Sequence, residues 1–253
     1  MGIDCVLFER LVALAARGVR PGRSVMLGRQ GFKLERAYAR RYSMALKRGG
    51  YGMSRFDLLQ EDGFSETMFR KLGFGDIETA DFSDYEGATI LQDLNEPLAE
   101  ELKGQFDFIF DGGTIEHVFN VPQALDNVFD MLAPGGLFIS ANGLNGWTGH
   151  GMYQFNPELV WTYWQRARNC EVLTCLGLPK DPGEKAIVFP DPAARGVRLK
   201  LRRRIPEGRV YLYYEVRKTQ NAERVASVLQ SDYAVKWASH RSRQANTAQG
   251  AIQ

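Results

Sequence analysis

The chain has 253 residues, 44% apolar and 25% charged, with 32 Lys plus Arg against 30 Asp plus Glu and a formal charge of +2. These values fit a globular protein and exclude wholesale disorder, a broadly basic polyanion binder and an acidic solvating tail. No apolar run approaches the ~20 residues of a membrane span, and the first residues lack the basic start, apolar core and small-residue cleavage site of a secretory signal. The three cysteines, Cys5, Cys170 and Cys175, form no disulfide framework or metal-ligand spacing, so a reduced, cytoplasmic compartment is expected.

Residues 4–16 carry apolar side chains at 7, 11, 14 and 15, a helical stripe that Gly18, Pro21 and Gly22 interrupt. Ser24–Leu27 reads as a buried strand ending at Gly28, residues 34–46 as a helix ended by Gly49-Gly50, and 66–72 as a helix begun at Ser65. Strands are expected at 76–81 and 88–92, a short helix at 97–103, and a strongly apolar strand at 106–110 (FDFIF). A helix over 121–132 leads through a Pro134-Gly135-Gly136 turn into a strand at 137–141. Beyond it, 157–167 reads as helix, 170–175 and 210–216 as strands, and 197–204 alternates like a strand. The tail past about 238 is polar and reads as frayed. Strands alternating with helices imply a mostly parallel sheet covered on both faces.

Ligands of such sheets sit beyond the carboxyl ends of the strands. Gly28 and Gly31 frame the first strand-to-helix turn, where they let backbone approach a ligand; a tight turn with no ligand is the other reading. A helix start after them would offer N–H donors to an anion, and Arg29 could pair with a carboxylate or point to solvent. A nicotinamide pattern would want an acid roughly 20 residues later, and the first well-placed one, Asp81, comes far beyond that. Asp81 and Asp93 each follow a short strand, suiting ribose hydroxyls and an adenine amine, or else capping the next turn.

The run FDFIFDGGTIEHV, a helix, then LAPGGLFI resembles the core of class I S-adenosylmethionine-dependent methyltransferases. The segments DYEGAT, DGGTIEHVFN and GHGMYQFNPEL are more narrowly similar to a bacterial methyltransferase-like family associated with surface polysaccharides and secondary metabolites. The resemblance covers about 64–161 and, more loosely, the first and last strands. The family's first loop has the form D/E-x-G-x-G-x-G; here MLGRQGF lacks the acid and one glycine. The resemblance implies a Rossmann-like seven-strand α/β methyltransferase fold and S-adenosylmethionine as cofactor. Gly28, Arg29 and Gly31 would face its methionine part, Asp81 its ribose, Asp93 and the Leu94 backbone its adenine, with Asp111 and Gly112 near the methyl.

Three histidines exist. His117 follows Glu116 where ubiquinone-type O-methyltransferases carry Glu-x-x-Glu-His, a pattern that holds a metal. Here Gly113 stands at the first Glu, so a metal would have to borrow Asp111, and no metal site is expected. His117 reads as a packing group or a second catalytic residue. His150, in GWTGHGMYQF, is placed to take a proton from an acceptor. Trp147 and Tyr153 form an apolar wall for substrate, unless they fill the core beneath a purely structural loop histidine. His240 lies in the tail. The basic residues Lys200, Arg202, Arg203 and Arg204 read as a solvated strand face or as a contact for an acidic or nucleotide-linked substrate; nucleic acid is the weaker partner.

The expected organisation is an N-terminal helical attachment (1–22), a methyltransferase-like domain (23–218) with a helical insertion (33–75), and a C-terminal helix and polar tail (219–253). The expected activity is methyl transfer to an oxygen, or a nitrogen, of a small molecule or glycan precursor. A non-catalytic protein that keeps the fold as a binding scaffold is the alternative, supported by the departing first loop.

Overall fold

The first helix, α1 (Cys5–Ala16), begins where the Asp4 side chain accepts from the backbone N–H groups of Val6 and Leu7. In the computed structural model, which describes residues 2–195, 199–201, 205–225 and 227–250, this helix does not stand apart. Its apolar side, including Phe8 and Leu11, merges with the sheet residues Phe108, Phe110, Tyr211 and Tyr213 into one core layer.

The strand before it, β1 (Gly2–Ile3), pairs in parallel with β3 (Gly31–Phe32). Here the structure departs from the sequence reading. The turn after β2 (Ser24–Leu27) enters this short strand, not a helix. Phe32 is drawn into the core beside Phe8 and Tyr42, their ring centroids 5.6 and 6.2 Å from its own. The next helix, α2 (Ala39–Arg48), therefore starts later than residue 34. Glu35 is held extended by the Cys5 N–H and the Tyr42 hydroxyl, which both donate to its carboxylate. Helix α3 (Glu66–Leu72) matches its expected bounds and ends on Gly73, whose φ of +99° is the left-handed cap that favours glycine.

The remaining strands are β4 (Glu78–Asp81), β5 (Ile90–Leu91), β6 (Phe106–Asp111), β7 (Leu132–Asn145), β8 (Glu171–Pro179), β9 (Ile187–Val188) and β10 (Val210–Arg217). The sheet order is β5-β4-β2-β6-β7-β10-β8-β9. All pairings from β5 to β7 are parallel, whereas β10 runs antiparallel to both β7 and β8. The expected Rossmann-like α/β class, mostly parallel with helices on both faces, is what the chain forms. Period-2 alternation sorts the side chains: Met26, Phe108, Phe110 and Ile139 face α1–α3, while Val25, Leu27, Ile109 and Phe138 face α4 (Val121–Met131) and the segment 157–167.

Four further departures are confined to single segments. Pro134-Gly135-Gly136 is no turn between elements but an irregular stretch inside β7, where the pairing with β6 slips between Phe106 and Phe108. Residues 97–103 give only a 3-10 turn, Glu100–Leu102, as the Gln92 side chain holds the Ala99 N–H. The 157–167 segment is a single α-turn, α5 (Pro157–Leu159), continued by a π-helix, Val160–Ala167. The expected C-terminal helix forms as α6 (Ser231–Gly250) and runs on past residue 238, where fraying was expected. The alternating stretch 197–204 and its arginines fall largely outside the described residues. No helix among the described residues is long and apolar enough to cross a membrane.

Chain order reverses at β2: the chain moves outward to β4 and β5, then returns to place β6 on the other flank of β2. Ligand crevices open at such a reversal, beyond the carboxyl ends of the strands. Because α1 shares the core, Phe8→Ala should lower stability by about 3–5 kcal/mol, read from urea denaturation. A loss below about 1 kcal/mol would show α1 to be peripheral.

Candidate functional site

At the end of β6 the carboxylate of Asp111 is wholly buried. Its Oδ1 accepts from the N–H groups of Gly113, Thr114 and Ile115, and its Oδ2 from Ser140 Oγ at 3.0 Å and Asn142 Nδ2 at 2.6 Å. Both oxygens are thus committed within the protein. The acid that a metal site or cofactor lining would have borrowed is a structural anchor. Burial holds its carboxyl above the usual range against these bonds.

This anchor sets the position of Glu116 in the 3-10 turn Ile115–His117. The Glu116 N–H donates to Asn142 Oδ1, and its carbonyl accepts from Met152 and Tyr153. Its Oε2 accepts from the Gly143 N–H at 2.5 Å. A Cβ at Gly143 would stand 2.9 Å from Oε2 and one at Gly151 2.9 Å from the carbonyl, so two glycines make room for this residue. Glu116 is 0% exposed, and burial pushes its carboxyl up to about 7.

Its remaining oxygen, Oε1, faces the two histidines, with Nε2 of His150 at 3.4 Å and Nε2 of His117 at 3.9 Å. The rings of His117 and His150 meet edge to face at 5.1 Å. Burial lowers both imidazoles below their ordinary value, which keeps them neutral at pH 7. The sequence brought forward both histidines but left Glu116 unassigned. The Glu-His pair was visible; that His150 would return to it was not.

The first loop is spent on packing. Arg29 donates to Glu66, Asp62 and the Glu86 carbonyl at 2.6–2.9 Å and lies 3.9 Å over the Phe64 ring. Its guanidinium ties the inserted segment to the loop after β4 and is occupied by these partners. Gly28, at φ +63°, makes way for Thr114: a Cβ there would lie 2.7 Å from Thr114 Oγ1. Gly112 makes way for Gln30 in the same manner, at 2.7 Å from Gln30 Oε1. Gln30 is buried, and this Oε1 has no hydrogen-bond partner. Gly31 opens β3.

Asp81 and Asp93 end or follow the adjacent parallel strands β4 and β5. Asp81 Oδ1 accepts from the Phe82 N–H, and Asp93 Oδ1 from the Asn95 N–H and amide; their second oxygens have no partner among the described residues. The Leu94 side chain is buried and its carbonyl accepts from Asn127. Trp147 is buried, donates to the Val210 carbonyl and packs its ring 5.0 Å from His150, so it supports the histidine from beneath. Tyr153 donates its hydroxyl to the Phe119 carbonyl and stacks on Phe155. Lys200 is exposed.

No protein-family model and no curated protein sequence matches the chain. Among solved structures it is similar to the 1,6-didemethyltoxoflavin-N1-methyltransferase of Burkholderia thailandensis, with bound 1,6-didemethyltoxoflavin and S-adenosylhomocysteine: 15% identity, 84% of this chain and 78% of that one, TM-score 0.40. It is also similar to the N-methyltransferase NodS of Bradyrhizobium japonicum WM9 in complex with S-adenosylhomocysteine: 15% identity, 83% and 85% of the chains, TM-score 0.40. A third is the [4+2]-cyclase SpnF: 12% identity, 83% and 80%, TM-score 0.43. Likeness at this level carries no argument about chemistry, which the site's own residues have to supply.

Asp111→Ala should destabilise the protein by well over about 3 kcal/mol, since each buried donor left without an acceptor costs about 1–3 kcal/mol. In the wild type, the unfolded chain gives up the Asp111 proton first as pH rises through the acid range, so this group's contribution to stability declines there. Asp111→Asn should remove that slope while placing an amide where Asn142 Nδ2 now donates. Urea midpoints measured across pH 3–7 check both; unchanged midpoints for either variant would contradict the anchoring role.

Proposed function

We propose that the protein is an S-adenosylmethionine-dependent methyltransferase acting in the cytoplasm on an oxygen, or a nitrogen, of a small molecule or glycan precursor. The observation that carries this reading is the placement of two acids with free oxygens, Asp81 and Asp93, on the strand-end edge that also presents Glu116, His117 and His150. The acids suit the nucleoside half of the cofactor: Asp81 would accept from ribose hydroxyls and Asp93 from the adenine amine. Gly28, Gly31 and the β6 end at Gly112 would border its methionine half. The fit there is looser, because Arg29 is committed elsewhere and no helix begins at the loop. When bound, the cofactor supplies an electrophilic methyl on sulfonium sulfur.

The chain's own contribution is positioning together with help in ionising the acceptor. Neutral His150, with His117 and buried Glu116, forms the acceptor end. Exposed Phe119 and Met152, each two residues from a histidine, give it an apolar rim suited to an acceptor with an apolar body. Trp147 and Tyr153 support this wall. The alternative, a scaffold that keeps the fold without the reaction, draws on the same spent Arg29 and on Gln30 packed against Gly112.

Excess S-adenosylhomocysteine should raise the melting temperature, since ligand at about 100 times its Kd adds about 2.7 kcal/mol to the native state. Asp81→Ala and Asp93→Ala should each blunt the shift. An unmoved melting curve with no heat of binding would sink the cofactor reading and leave the scaffold. Mass spectrometry of extracts incubated with the protein and a deuterated-methyl cofactor identifies the acceptor. On that acceptor His150→Gln should lose roughly 100- to 10,000-fold in turnover while still binding S-adenosylhomocysteine. Wild-type turnover in this variant would leave His150 a packing residue.

A further inference from the structure

The separations within the Glu116, His117 and His150 cluster distinguish two ways in which such groups satisfy one another. A charge-assisted bond between imidazole and carboxylate closes to about 2.7–2.9 Å. Neither histidine approaches so closely: Oε1 lies 3.4 Å from one Nε2 and 3.9 Å from the other. Both Glu116 Oε1 and His150 Nε2 are buried without a hydrogen-bond partner. Ligands bound at about 2.0–2.2 Å around one ion stand roughly 3–4 Å from one another. The three ligand atoms here lie within 4.8 Å of one another.

We propose that Glu116, His117 and His150 form a site for a divalent transition-metal ion, held by Glu116 Oε1 and the Nε2 atoms of the two histidines. The sequence reading assigned no metal, because it looked for a second acid on the same turn and found Asp111. The ligands come instead from two elements, the turn after β6 and the loop after β7, which adjacent parallel strands bring to one edge. One carboxylate and two imidazoles suit Zn²⁺, Co²⁺, Fe²⁺ or Mn²⁺ better than Mg²⁺ or Ca²⁺, which favour all-oxygen sets.

The surroundings are those of a built site. The Gly143 N–H holds Oε2, so the carboxylate is oriented by an outer partner with only Oε1 left to give. Trp147 backs the His150 ring. On the other side, the His117 and His150 side chains are 44% and 28% exposed, so the cluster borders solvent. Three protein ligands leave coordination positions open to a small molecule. The role of the ion toward an acceptor rests on the methyl-transfer reading: an acceptor hydroxyl at an open position would give its proton to water more readily. The site itself rests on the contacts alone.

The test is a titration of full-length protein, stripped with EDTA, with Co²⁺, whose visible absorption reports the ligands, followed by competition with Zn²⁺ and metal counting by mass spectrometry. One Co²⁺ per chain is expected. His117→Ala and His150→Ala should each weaken binding by more than the roughly 10- to 100-fold that loss of an outer partner costs. His240→Ala, in exposed α6, should change nothing. His117 is half-exposed, so its variant keeps the fold, as circular dichroism checks. Absence of saturable Co²⁺ binding in the wild type, or binding untouched by both histidine variants, overturns the site. S-adenosylhomocysteine binding measured on the same samples separates the two readings. Its binding without Co²⁺ overturns the metal site alone, whereas Co²⁺ binding without it supports the site and overturns the cofactor reading.

Discussion

The candidate site depends on one buried carboxylate. Asp111 gathers three backbone N–H groups from the turn that follows β6 and two polar side chains, Ser140 and Asn142, from β7. A charge in the interior is tolerated only when so fully hydrogen-bonded. The result is a rigid junction between two strand ends. Asn142, held by Asp111, presents its other amide atom to the Glu116 N–H, and Glu116 in turn fixes the loop that carries His150. Position passes outward from buried carboxylate to amide, to second carboxylate, to imidazole.

The fold was legible wherever burial on both faces wrote a continuous apolar run. FDFIF and VYLYYEV lie within β6 and β10, and the helix over 66–72 keeps its expected bounds, ended by Gly73 although the Ser65 side chain makes no cap bond. What the sequence concealed depended on distant partners. Phe32 forms a strand where a turn into the expected helix was read, because Phe8 and Tyr42 offer it a ring-packed core, and no local pattern announces that. Pro-Gly-Gly normally signals a turn, yet β7 runs through it by way of an irregular pairing that neighbouring β6 tolerates. The polar tail has no apolar stripe, yet α6 runs past residue 238 from a start at Ser231, whose N–H and hydroxyl both donate to Glu158.

For the site, residue type was readable and commitment was not. Asp111 and Arg29 are the residues a ligand would want, and the sequence shows them at strand ends. Only the folded structure reveals that each has been used up internally. Asp81 and Asp93 look the same on paper but keep an oxygen free. Glu116 was hidden for the opposite reason: an acid followed by histidine on a short turn looks solvated, and its burial comes from the loop past β7 folding over it. Two glycines, at 143 and 151, were the sole local hint that something bulky needed that space.

The contacts of α1 also bear on how the chain is made. Asp4, which starts the helix, accepts from the Tyr211 hydroxyl, and Arg17 at its other end pairs with Glu215 at 2.6 Å. These partners are 207 and 198 residues apart in sequence. At roughly 5–20 residues per second of translation, about 10 to 40 s pass between the emergence of Asp4 and that of Tyr211. Throughout that interval α1 lacks the strand that pins both its ends. Its apolar stripe is then open to chaperones and to neighbouring nascent chains, and the native layer closes only once β10 has emerged.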